Sequence, residues 1–478
     1  MRAVTWTQVA QYIILIIAYL IPVVWLSVKQ TSFPVPQLIY GQQLEKVTAK
    51  EAELIKDPKE LEVRAIFKAR ADALSEKLKD VPAALAADKA AAEKKVADLK
   101  AANAPADEIA AAEKALAAVP KDAEAAKKAW TAQRTGATNR SNQLANMPRH
   151  AQQFAGDPAG DEKARTAFDT SRRNFLALIF CLMVGTAALP HILMRYYTTP
   201  SVKQARESVT WSLFFIFLLY FTAPALAVLV KYEVFTVLVG TPFDKLPAWI
   251  SAWAKVDATL LSVADINKDG ILQLAEMTIG GDIIVLATPE IGGLPYVISG
   301  MVAAGGMAAA LSTADGLLLT IANALSHDLY YKMIDPNAPA SRRVMVSKIL
   351  LVVVALAAAY VAAQKPADIL FLVGAAFSFA AAAFFPPLVL GIFWKRMTRA
   401  GAVAGMLAGL GTTVGYMVVN FPVLRQWFGF SEEHLWFGIQ PVSAGVFGVP
   451  VGLLMAVLVS LLTSPDSAED RNLSPPLG

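Results

Sequence analysis

Ser312, Thr313 and Asp315 stand within one turn of each other in an otherwise largely apolar stretch, Ala309–Tyr330. An ionisable residue at the centre of a membrane helix costs about 3 kcal/mol on insertion scales, so it reads as functional by default. Small, hard oxygen ligands gathered on a helix are what a sodium ion needs. The plain alternative is that the two hydroxyls bond back to carbonyls one turn earlier, as Ser and Thr in membrane helices commonly do. Asp315 follows Ser312 by three residues and so lies near the same face. It would strengthen an ion site, take up a proton, pair with a positive group, or serve as a hydrogen-bonded structural acid.

A second cluster, Asp265-Ile-Asn267-Lys-Asp269-Gly270-Ile271-Leu-Gln273-Leu-Ala-Glu276, has the order of a calcium loop, D-x-[DN]-x-[DN]-G-x5-E. Asp265, Asn267 and Asp269 offer side-chain oxygens, and Gly270 permits the sharp turn. Ile271 offers its carbonyl, Gln273 acts directly or through water, and Glu276 closes the site with both oxygens. The competing reading is an acidic loop of Asx-turns with no ion. Leu272 is apolar where such loops pack inward. A helix-like run, Pro247–Ala264, is expected before the loop and a shorter run after it, ended by Gly280-Gly281. Calcium here is expected to be structural.

These groups are carried by a chain of 478 residues that is 55% hydrophobic, with mean hydropathy +0.46. About 18 or more consecutive apolar residues span a bilayer. The sequence predicts eight spans: Thr5–Val28, Asn174–Leu193, Val209–Val230, Leu294–Leu325, Val344–Ala363, Ile369–Trp394, Ala402–Val419 and Val442–Leu462. Three short basic loops fall on one side: Arg195, Lys203 and Arg206; Lys332, Arg342, Arg343 and Lys348; Lys395, Arg396 and Arg399. Such loops stay in the cytoplasm. Residues 29–173 and 231–293 are then external or periplasmic, and both termini, with a tail at 464–478, are cytoplasmic. The expected location is the cell (inner) membrane, with the lipid bilayer as a partner. The net charge of +4 is small and spread out, so nucleic acid is not an expected partner. The single cysteine, Cys181, lies inside a span and is expected to be packing. No nucleophile–base pair, phosphate loop or zinc cluster is visible, so no enzyme is expected.

The long segment 29–173 changes composition. Between about Leu44 and Gln133 it is rich in Ala, Lys and Glu, all good helix formers. Pro58, Pro82, Pro105 and Pro120 cut it into helical pieces, a hairpin bundle or short coiled coil. Its stripe is mostly alanine, which buries little surface. A solvated spacer is the first reading, and a docking platform for another protein is the second. Residues 135–162 read as loop.

Three blocks carry a resemblance to a known family. They are Gly185-Thr-Ala-Ala-Leu-Pro-His-Ile-Leu-Met-Arg-Tyr-Tyr-Thr198, Ala310-Leu-Ser-Thr-Ala-Asp315 running on to Ser326-His-Asp-Leu-Tyr330, and Phe385-Pro-Pro-Leu-Val-Leu-Gly-Ile-Phe-Trp-Lys-Arg-Met-Thr-Arg-Ala-Gly-Ala402. With Trp6-Thr7-Gln8 they resemble the sodium:solute symporter family, most closely its acetate and short-chain monocarboxylate permease branch. The resemblance implies an all-α integral membrane fold of the five-plus-five inverted-repeat type, with alternating access around a mid-membrane site at broken helices. Gly185 with Pro190, and Pro386 with Pro387, are expected to interrupt spans two and six.

The resemblance also implies a sodium site made by the Ala309 carbonyl and the Ser312 and Thr313 hydroxyls. Asp315, Gln8, Thr7, Gly185 and His191 are then candidates for ion coupling or substrate lining. Gln8 stands where some members carry an Asp for a second sodium. His191 is also readable as an ordinary core histidine, and His327-Asp328 as a helix-end cap or gate. The expected cargo is a small carboxylate such as acetate. The first span matches the last helix of the first repeat, so the chain is expected to be a C-terminal portion. It would not transport alone, and an N-terminal half would be supplied separately. The competing reading is a calcium-binding membrane scaffold without transport.

Overall fold

The computed structural model describes residues 2–102, 104–196 and 199–464. The tail beyond Ser464, and Tyr197 and Thr198 of the first family-like block, lie outside the described residues, and so do the side chains of Thr5 and Arg195. Apart from one short ribbon, the described regular structure is helical. Among the described residues eight helical stretches are long and apolar enough to cross a membrane: Trp6–Thr31, Glu162–Leu193, Val202–Leu238, Tyr296–Ile334, Ala340–Ala363, Ile369–Phe393, Arg399–Asn420 and Pro441–Leu462. They coincide with the eight predicted spans, and the protein is an all-α integral membrane protein.

In chain order the helices begin with α1 (Arg2–Thr31), α2 (Pro36–Lys56), α3 (Pro58–Lys77), α4 (Val81–Ala101), α5 (Ala106–Ala117) and α6 (Ala123–Ser141). Then come α7 (Glu162–Ala188), α8 (Pro190–Tyr196), α9 (Val202–Glu233), α10 (Ala248–Val256), α11 (Ile284–Gly292) and α12 (Tyr296–Asn323). The last are α13 (Ala340–Ala363), α14 (Ile369–Phe393), α15 (Arg399–Asn420), α16 (Pro422–Trp427) and α17 (Gly445–Leu462). The chain divides into two compact units, residues 1–19, 153–219 and 301–478, and residues 20–152 and 220–300.

In the first unit α14 packs against α7, α15 and α17. The α15–α17 contact is built on small residues, which let membrane helices approach closely. A Cβ at Gly405 would come within 2.7 Å of Ala456 Cβ and 2.8 Å of the Gly452 carbonyl. The expected break at Pro386-Pro387 does not occur, because both prolines sit inside the continuous α14. Proline removes the donor to the carbonyl four residues back, here that of Ala382. That oxygen lies against α15, where a Cβ on Gly409 would meet it at 2.3 Å. The released carbonyl is thus packed on glycine instead of opening the helix. Pro190 does break its helix: α7 ends at Ala188, Leu189 is extended with ψ 116°, and Pro190 opens α8. Cys181 is fully buried, its thiol 3.4 Å from the Ser443 carbonyl, in keeping with packing.

The second unit holds α2–α6 and the 240–280 region. Pro58 and Pro82 stand in the first turns of α3 and α4, and Asp57 caps α3 by accepting the Lys59 and Glu60 N–H groups. Helix α6 runs on to Ser141, past the expected start of loop at 135. Helices α3 and α6 share one core with the acidic loop, formed by Val63, Phe67, Ala71, Ala137 and Ala275 with Ile266 against them. The flank before that loop is not one helix, as expected from Pro247–Ala264. Helix α10 stops at Val256, Asp257 forms a local turn by accepting the Thr259 N–H at 2.9 Å, and the chain then extends. Strand β1 (Leu261–Val263) pairs antiparallel with β2 (Met277–Ile279), Ser262 opposite Thr278. The loop is therefore closed by a ribbon, since its arms satisfy their main-chain groups with each other.

Candidate functional site

The α12 oxygens come together in one place. Ser312 Oγ and Thr313 Oγ1 both lie 3.2 Å from the Ala309 carbonyl oxygen and donate to it. This is the back-bonded arrangement expected of hydroxyls three and four residues on, and it holds three neutral oxygens within one turn. Helix α1 reaches the same turn, where Gln8 Nε2 donates to the Ser312 carbonyl at 2.8 Å. Lower on the pair, Gly305 faces Ala18 so closely that an added Cβ would stand 2.6 Å from the Ala18 methyl. Thr7 lies beside Gln8 on α1 and is exposed.

Asp315 is half-buried one turn further on. Among the described residues no ion pair or hydrogen bond engages its carboxylate. Gly185 faces α14, where a Cβ would meet the Phe377 carbonyl oxygen at 2.5 Å. It is buried at this helix contact. His191 is half-buried on α8, just after the Pro190 break. His327 Nδ1 lies 3.1 Å from Asp328 Oδ1, and Lys332 Nζ is also 3.1 Å from that oxygen. This local ion group lies in the π-helical stretch Ala324–Ile334 that continues α12.

The acidic loop is wound as its sequence order suggests. Lys268 and Gly270 take positive φ, 62° and 75°. Asp265 Oδ2 accepts the Gly270 N–H at 3.0 Å, Asn267 Oδ1 that of Asp269 at 3.2 Å, and Asp269 Oδ1 that of Ile271 at 2.9 Å. Leu272 is fully buried, and Ile271 pairs with Pro242 in a single antiparallel bridge. The closing carboxylate does something else. Glu276 Oε1 accepts the Ile266 N–H at 2.6 Å and Oε2 the Gln273 N–H at 3.1 Å. Burial holds this carboxyl above its ordinary range, against the pull of those N–H groups. Gln273 turns its amide nitrogen to Asp269, 3.0 Å from Oδ2. Among the described residues no group of three or more His, Cys, Asp or Glu side chains is placed to hold a metal ion. The donor types fit calcium, while the closing ligand is committed to backbone.

Glu60 was not visible as a functional candidate. It is 3% exposed on α3, and its Oε1 accepts the Ala275 N–H at 3.0 Å. Burial pushes its carboxyl up to about 7, although the backbone donors of Ala275 and Leu274 pull the other way. A carboxyl raised on folding favours the folded state most at low pH, because that state keeps a proton the open chain releases. The α3–loop contact should therefore weaken as pH rises from about 4.5 through about 7, by on the order of 3 kcal/mol. Amide exchange at Ala275 should quicken across that interval, and Glu60→Gln should flatten the dependence.

A model of the sodium:solute symporter family matches residues 283–409, which include the α12 oxygens. The chain is 52% identical over 464 residues to a protein of Cupriavidus necator described as an uncharacterized symporter, covering 97% of this chain and 66% of that protein. It is 28% identical over 303 residues to a monocarboxylic acid transporter of Corynebacterium glutamicum, covering 63% of this chain and 48% of that one. The chain thus spans just under two thirds of the first relative's length and about half of the second's. With the family model lying over the Ala309–Thr313 turn and identity to a symporter running along nearly the whole chain, this protein belongs to the sodium:solute symporter family.

Proposed function

We propose that this chain forms the ion-binding part of a sodium-coupled symporter for a small carboxylate such as acetate, working by alternating access in the inner cell membrane. The observation that carries this reading is the gathering of Ala309 O, Ser312 Oγ and Thr313 Oγ1 at one turn of α12. Each hydroxyl can turn its proton aside and present a lone pair, so sodium would replace two weak internal hydrogen bonds. Asp315, with no hydrogen-bond or ion-pair partner among the described residues, would add charge to that site or take up a proton. Gln8, Thr7, Gly185 and His191 would line the path. The likeness to a monocarboxylic acid transporter supports the substrate class.

Transport is proposed to require further helices, supplied separately as an N-terminal half. Helix α13 buries none of its residues and leaves room for such partners. The basic loops would face the cytoplasm, together with both termini. Reconstituted with those helices, the carrier should take up labelled acetate under a sodium gradient, with propionate competing and glucose not. Competition by glucose, with none by propionate, would remove the carboxylate reading.

Sodium and substrate would each favour the other's binding by the same coupling energy. Calcium is the second ion of the proposal, held at Asp265, Asn267, Asp269, the Ile271 carbonyl, Gln273 and Glu276 once Glu276 exchanges its backbone donors for the ion. One observation favours a scaffold role for that loop, namely the core it shares with α3 and α6. Radioactive calcium should bind the purified full chain at millimolar concentration and be lost in Glu276→Gln. Absence of binding at that concentration removes the calcium claim.

A further inference from the structure

Between α3, α6 and β2 lies a cavity of about 570 Å³, within the range of sites for small molecules. Its floor is apolar, with Phe67, Leu274 and Met277 all buried. Two guanidinium groups stand over the Phe67 ring, Arg70 at 5.4 Å and Arg140 at 5.1 Å from the ring centre. Arg70 is exposed at the mouth and Arg140 is half-buried.

No carboxylate forms an ion pair with either arginine among the described residues. Arg140 donates to the Thr278 hydroxyl. The nearest acid acting on it, Glu276, has both oxygens bonded to main-chain N–H groups. Burial and the charge of Arg70 both press the Arg140 guanidinium towards losing its proton. Two like charges over one ring, above an apolar floor, make a place where an anion is electrostatically favoured. Guanidinium forks match carboxylate geometry and also stack on aromatic faces.

We infer that this cavity binds a small organic carboxylate, with its charged end between Arg70 and Arg140 and its apolar body on Phe67, Leu274 and Met277. The site does not depend on the α12 oxygens. An inorganic anion would leave the floor unused, and a neutral apolar molecule would leave the arginines unpaired.

The test uses the full chain in nanodiscs and a six-carbon carboxylate bearing a diazirine at its tail. After irradiation, label should map to the peptides containing Phe67–Leu74 and Leu274–Ile279. Excess hexanoate should lower that labelling at least tenfold, while hexanol and sulfate should leave it unchanged. Arg70→Gln with Arg140→Gln should remove it, and Arg70→Lys should retain part of it. The inference is overturned if hexanol competes as well as hexanoate, if sulfate does so, or if the glutamine variant labels like the parent. Because the competition arm uses the unmodified protein, it decides the matter even if the double variant does not fold.

Discussion

Changing Ser312 and Thr313 together to alanine should raise the sodium concentration for half-maximal uptake at least about a hundredfold, because each polar contact to a charged group contributes about 1.5–3 kcal/mol. Both hydroxyls converge on the Ala309 carbonyl at 3.2 Å, so the substitution leaves the carbonyl but removes its two companions. The competing explanation is that these hydroxyls only shape the helix by bonding back to it. Thr320 separates the two. Its hydroxyl donates to the Gly316 carbonyl at 2.7 Å on the same helix, and no candidate ion ligand is assigned there. Thr320→Ala should leave sodium dependence within about twofold of the parent, a change of under 1 kcal/mol. Equal losses in both variants would assign the hydroxyls to helix shape and withdraw the ion site. Maximal rate with saturating sodium should recover in the double variant, since only affinity for the ion is weakened.

Glu51→Ala should destabilise the second unit by about 3–5 kcal/mol, the cost of removing one partner from a buried ion pair. The Glu51 side chain is 2% exposed and its carboxylate lies 2.5 Å from Lys231 Nζ, itself 13% exposed. The same carboxylate accepts the His150 N–H at 3.0 Å. Truncation therefore leaves a largely buried ammonium with only the Pro148 carbonyl, 3.2 Å away, and the His150 N–H unsatisfied. The loss should appear as a fall in thermal unfolding temperature and as faster amide exchange around His150. Replacing both partners, Glu51→Leu with Lys231→Met, should recover most of the loss, because apolar residues of similar volume often match a buried pair. A single variant as stable as the parent would show that water reaches the pair and that the packing described for it is wrong.

The membrane helices were legible because the signal is local: each span is one uninterrupted apolar run, read without knowing its neighbours. The break at Pro190 was legible for the same reason. Pro386-Pro387 misled, because whether a released carbonyl opens a helix depends on what faces it. Ala382 O faces Gly409, a residue the sequence places far along the chain. The 401-405-409 glycine spacing was a visible sign of that close contact. The loop 265–276 was legible in its turns, since Asx bonds and a positive-φ glycine are matters of a few residues. Its ribbon was not, because Leu261–Val263 and Met277–Ile279 are three residues each and are specified by each other. Glu60 could not be found at all, because its partner, Ala275, lies 215 positions away. An alanine-rich helix gives no sign of which glutamate turns inward, although Phe67, alone among its aliphatic neighbours, marked the inner face.

The most direct measurement is uptake of labelled acetate by the complete carrier in proteoliposomes, with external sodium replaced in turn by potassium and choline at constant ionic strength. Uptake should collapse to the leak of empty vesicles in both replacements and return when sodium is restored. Undiminished uptake in potassium or choline would contradict a role for the α12 oxygens in driving transport.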